Sequence, residues 1–107
     1  MNVSDNLPWS EQYRIVARKW VDADSAASLL EDTKSAFLSQ RMQVHADLPV
    51  SRAEAIIKSS PEWVDFVEKM VAARKQANLY KVQLEYFRMK FSEWQSENAT
   101  KRAEMRL

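Results

Sequence analysis

The sequence predicts an all-α protein, an elongated antiparallel helical hairpin of coiled-coil type with a short connecting helix, assembled as a homo-oligomer. Three observations predict it. The 107 residues contain no glycine, which argues against hairpins, phosphate-cradling loops and left-handed turns alike. Apolar residues recur at helical spacing along most of the chain. Beyond residue 9 only Pro49 and Pro61 interrupt that pattern. A chain of this length reads as one helical domain, 1–107.

Residues 1–9 carry Asn, Ser, Asp and Pro without periodicity and read as a flexible arm, with Trp9 available as an anchor. A first helix is expected over 10–44, with Tyr13, Val16, Trp20, Ala23, Ala27, Leu30 and Phe37 on one face. Asp22-Ala23-Asp24-Ser25 is its weak point, where a kink or split is open, because Asp and Ser compete for backbone hydrogen bonds. Past it, Lys34 and Arg41 fall on the extrapolated seam, while Leu29, Leu38 and Met42 drift to a neighbouring face. His45-Ala46-Asp47-Leu48-Pro49 ends the helix, since a residue before proline is pushed out of the α region. Ser51 and Glu54 have capping-box spacing and open a short helix, 51–58, carrying Ala53, Ala55, Ile56 and Ile57.

The last helix, 60–105, has the strongest start signal. Ser60 can cap it, Pro61 sits where a missing N–H costs nothing, and Glu62, Asp65 and Glu68 place negative charge near the positive end of the dipole. Counting sevens from Trp63, the a positions are Trp63, Met70, Ala77, Leu84, Phe91, Asn98 and Met105. The d positions are Phe66, Ala73, Tyr80, Phe87, Trp94 and Lys101, so the seam is apolar until Asn98. At about 1.5 Å per residue such a helix runs to roughly 65–70 Å, longer than a compact domain needs. Opposite the seam, Leu79, Val82, Tyr86 and Met89 recur at spacings of three and four. One partner helix cannot cover both faces, so these four are expected to form an inter-subunit seam.

Composition excludes several classes of function. Without cysteine there are no disulfides, thiolate nucleophiles or cysteine-based zinc sites. No apolar run reaches membrane-spanning length and the first nine residues lack a signal-peptide pattern, so no membrane association and a cytoplasmic setting are expected. His45 lies two residues from Asp47, a spacing that can suggest a general base, but at a helix end it reads as a cap. No catalytic residue, metal site or cofactor is expected, and the protein is not expected to be an enzyme.

The net charge of +1 hides an asymmetry, because residues 1–68 sum to −4 and 69–107 to +5. Arg74, Lys81, Arg88 and Arg102 share the e position of successive repeats, with Gln95 interrupting, and Lys75 and Lys90 flank them. Such a line can track a phosphate backbone. It can equally pair with Asp22, Asp24, Glu31 and Asp32 of the first helix. The tryptophans Trp9, Trp20, Trp63 and Trp94, with Tyr80, Tyr86, Phe87 and Phe91, could stack bases, yet at seam positions aromatic residues are expected to be core. Tyr86 lies off the seam and is the surface candidate.

Ser59-Ser60-Pro61-Glu62-Trp63, the run Ala72-Ala73-Arg74-Lys75-Gln76-Ala77, Lys81-Val82 with Leu84-Glu85-Tyr86, and the ending Trp94-Gln95-Ser96 to Met105-Arg106-Leu107 resemble small phage- and prophage-encoded helical proteins. The nearest named family is the phage recombination mediators of the UvsY type. That resemblance implies a helical protein that assembles into rings, binds single-stranded DNA and helps load a recombinase. The expectation is a DNA recombination or replication accessory protein, acting as a homo-oligomer and touching single-stranded DNA through Arg74, Lys75, Lys81, Arg88 and Lys90. The alternative is a phage-type protein–protein adaptor or inhibitor that uses an exposed helix face.

Overall fold

The structure, a computed structural model, describes residues 6–106. Among these residues there are three helices and no strand: α1 (Trp9–Gln43), α2 (Val50–Lys58) and α3 (Pro61–Met105). The all-α class and the order long helix, short helix, longer helix are as the periodicity predicts. Most of the proposed flexible arm, residues 1–5, lies outside the described residues, and Trp9 opens α1. Among the described residues no helix is long and apolar enough to cross a membrane.

α1 starts where the Pro8 carbonyl accepts the Glu11 and Gln12 amides at 3.0 Å, and the buried Gln12 side chain donates to the Leu7 carbonyl at 2.7 Å. It then runs as one helix through Asp22–Ser25, so no split occurs there. The physical reason lies in α3, where Arg74 takes up the Asp24 carboxylate that would otherwise compete for backbone amides. Ser51 and Glu54 do not form the expected capping box. α2 begins at Val50 with Pro49 as its cap residue and no side-chain cap, and Glu54 pairs instead with Lys58 at 2.9 Å. The Pro49 carbonyl accepts the Arg52 and Ala53 amides, which places Ser51 already inside the helix.

Serines make the corner into α3. Ser59, in right-handed helical geometry, sends its hydroxyl to the Ile56 carbonyl, and Ser60 sends its own to Ile57 while accepting the Trp63 amide at 3.3 Å. No described residue has positive φ, so the corner needs no glycine. Ser60→Ala should therefore cost about 1 kcal/mol of stability and Ser51→Ala close to nothing. Equal shifts of the two denaturation midpoints would contradict this cap assignment.

The chain packs as two compact units, Val21–Ala77 and, separately, the residues up to Trp20 with those from Asn78 onward. In the first, α1 and α3 run antiparallel, with Phe37 stacked on Phe66 at 4.8 Å and tilted against Trp63 at 6.0 Å. Ala27, Ala53, Ile57, Trp63 and Ala77 are buried there, and α2 contributes Ala53 and Ile57 one turn apart. Lys34 and Arg41, cations on an apolar seam by sequence, lie over the rings of Trp63 and Phe37 at 5.9 and 5.2 Å. A ring face accepts a cation there without burying its charge. The second unit is also an antiparallel pair, with Val16 and Leu84 buried and Trp20, Tyr80 and Phe87 half-buried.

Candidate functional site

The expected basic line separates by environment. Arg74 is fully engaged: its Nε and Nη2 grip both oxygens of Glu31 at 2.9 and 2.7 Å, Nη1 reaches Asp24 at 2.7 Å, and Nη2 also meets Ser28 Oγ at 3.3 Å. Four of the five N–H groups of the guanidinium are thus used. The Arg74 hydrogen bonds hold the Glu31 carboxyl below its ordinary value, and the same partners raise Arg74. The cation belongs to the Val21–Ala77 unit as a clamp on α1. Asp22 and Asp32, the other acids considered as partners, make no ion pair among the described residues.

This clamp has a pH signature. Glu31 is depressed in the folded state, so its contribution is complete above its ordinary value of 4.5 and is lost as pH falls through the lower folded value. The stability gap between the wild type and Arg74→Met should be present at neutral pH and shrink on acidification below that value. A gap of constant size down to strong acid would contradict the clamp.

Lys75, in the same unit, is exposed without an ion pair among the described residues, and so is Lys81 in the other. Arg88 and Lys90 meet rings and a phenol, with no acid among the described residues. Arg88 Nε and Nη2 donate to the Tyr13 hydroxyl at 3.2 and 3.0 Å, and the guanidinium lies 5.9 Å from that ring's centre. Lys90 Nζ stands 5.1 Å from the Trp9 ring and 5.9 Å from Tyr86.

These two cations border an open groove of about 670 Å³ lined by Trp9, Ser10, Tyr13, Phe87, Arg88, Phe91 and Trp94. Trp9 and Trp94 meet edge to face at 6.4 Å, and Phe91 stacks on Trp94 at 5.9 Å. Phe91 and Trp94 hold seam positions and were expected in the core, yet they are 47% and 48% exposed. α1 begins at Trp9, level with Trp94, so no described part of α1 covers the seam beyond it. The groove is the end of a helix pair whose second member continues past the first residue of α1.

Sequence reasoning found the cations and, for Arg74, the acids Asp24 and Glu31 among its candidate partners; it missed the phenol and ring partners of Arg88 and Lys90. The signal was present in the helix lengths, since pairing outward from Pro49 exhausts α1 before α3 has finished its apolar run. The stripe Leu79, Val82, Tyr86 and Met89 lies open along α3, each residue more than half exposed. His45 stands beside a small cavity of about 140 Å³ with Arg41, Ile56, Ile57, Ser60 and Glu62, and its backbone amide donates to Met42. Comparison with protein-family models, with curated proteins and with solved structures finds no match.

Proposed function

We propose that the chain is a non-enzymatic binding protein that holds single-stranded nucleic acid against the aromatic groove of its Trp9–Trp94 end. The observation that carries this reading is the half-exposure of Trp9, Phe91 and Trp94 beside Arg88 and Lys90, cations that pair with no carboxylate among the described residues. Flat aromatic faces take bases of any identity, and adjacent cations take the phosphates between them. Such binding is tolerant of sequence and sensitive to salt. Lys81 extends the cationic border, whereas Arg74 is spent on α1 and takes no part. Within this proposal the setting is cytoplasmic and the role that of a recombination or replication accessory protein, the latter following from the phage-protein resemblance. A recombinase is then the natural protein partner.

Fluorescence anisotropy of a labelled, unstructured oligonucleotide tests the reading. Affinity should fall as salt rises, with a slope of log K against log salt of about −1.4 for two paired phosphates. Arg88→Glu with Lys90→Glu should abolish binding with the helical circular dichroism intact, and Trp94→Ala should weaken it by about 1–3 kcal/mol. Arg74→Met should leave the slope unchanged. Absence of binding at low salt refutes the proposal and leaves the adaptor reading, in which the exposed Leu79–Met89 stripe meets another protein.

A further inference from the structure

We infer that Tyr13 is a phosphate-binding residue of the groove, a phenol that holds Arg88 in place and donates its own O–H to the phosphate Arg88 pairs with. The inference rests on the nucleic-acid reading of the groove and adds to it an uncharged residue that the cationic line does not contain.

The Tyr13 hydroxyl is the acceptor in both of its contacts with Arg88, whose Nε and Nη2 donate to it at 3.2 and 3.0 Å. A phenol that accepts keeps its hydrogen for another partner, and no acceptor among the described residues takes it. On the guanidinium, Nη1 and the second hydrogen of Nη2 are likewise without an acceptor among the described residues. Tyr13 and Arg88 both line the groove. The pair therefore offers it donors and a positive charge, the complement of a phosphodiester with its two unesterified oxygens.

A phenol in this place has a physical consequence that an acid would not have. At the equivalent heptad position two repeats earlier, Asp24 and Glu31 hold Arg74 and take up its charge. Tyr13 orders the guanidinium and leaves its charge available, so less side-chain freedom remains to be lost on binding. Donation from a cation also polarises the phenol and strengthens its O–H as a donor. Tyr13 follows Trp9 on α1 by one turn, about 6 Å along the axis. A base against the Trp9 and Phe91 rings thus carries its own phosphate to the pair.

Tyr13→Phe keeps the ring, and with it the 5.9 Å contact to the Arg88 guanidinium, and deletes only the hydroxyl. With the chain folded by circular dichroism, affinity for an unstructured oligonucleotide should fall roughly tenfold in anisotropy titrations, the size expected of a hydrogen bond to a charged group. The salt slope should not change, because no charge is removed, whereas Arg88→Met should lower its magnitude by about 0.7, the share of one phosphate. On a methylphosphonate strand, whose backbone is uncharged, wild type and Tyr13→Phe should bind equally. Inorganic phosphate should displace the strand no better than sulfate at equal ionic strength. Undiminished binding by Tyr13→Phe overturns the inference and leaves the groove reading standing. So does a slope lowered by about 0.7 in Tyr13→Phe, since the phenol then acts only through Arg88, or an equal loss on the uncharged strand. Displacement by inorganic phosphate ahead of sulfate overturns the assignment to a strand in favour of a free-anion site. A wild type that binds no oligonucleotide at low salt overturns the groove reading and this inference with it.

Discussion

Replacement of Trp63 by alanine is expected to cost the Val21–Ala77 unit about 3–5 kcal/mol, the usual range for removing a large buried aromatic residue. Trp63 is 7% exposed, its ring meets Phe37 and Phe66, and Lys34 lies over its face. The substitution therefore removes packing area, two ring contacts and the seat of a cation together. α2 should loosen with it, because Ala53 and Ile57 are buried in the same small core. Amide exchange in α2 and the first turns of α3 should rise to the level of global unfolding. A loss below about 1 kcal/mol in denaturant melts would mean that Trp63 is not central to this core.

Leu84→Ala is the corresponding test of the other unit, with an expected loss of about 2–5 kcal/mol. Leu84 is 8% exposed and shares that core with Val16, the largest side chain there that is wholly excluded from water. Phe91→Ala should cost much less, although it removes a larger side chain from the same seam one repeat later. Phe91 is 47% exposed, so its removal opens no enclosed cavity. Chemical denaturation of both variants checks the pair. Equal losses would show that the seam is buried as far as Phe91, and the groove would then be part of the core.

Much of the scaffold is legible in local chemistry. A missing glycine, three prolines and an apolar period near 3.6 fix where helices start and stop, because those preferences act within a few residues of the chain. The seam from Trp63 to Phe87 and the α1 face from Tyr13 to Phe37 follow from the same periodicity. Where two local signals compete, the outcome depends on neighbours. Ser51 has capping-box spacing, but the Pro49 carbonyl starts α2 earlier, and Asp24 stays helical with its carboxylate held by Arg74.

The candidate site depended on what stands across from each residue. Arg74 and Arg88 hold the same heptad position and are equivalent by sequence. Opposite Arg74, α1 presents Asp24 and Glu31, and the cation is consumed; opposite Arg88 it presents Tyr13, a phenol that carries no countercharge. Phe66 and Trp94 likewise share the d position, but Phe66 stacks on Phe37 while Trp94 meets Trp9, the first residue of α1. Sequence by itself determined three helices and the apolar faces they must bury. Tertiary structure alone decided which cations keep their charge available and which rings stay wet, because both depend on where α1 begins and which of its side chains lie at each level of α3.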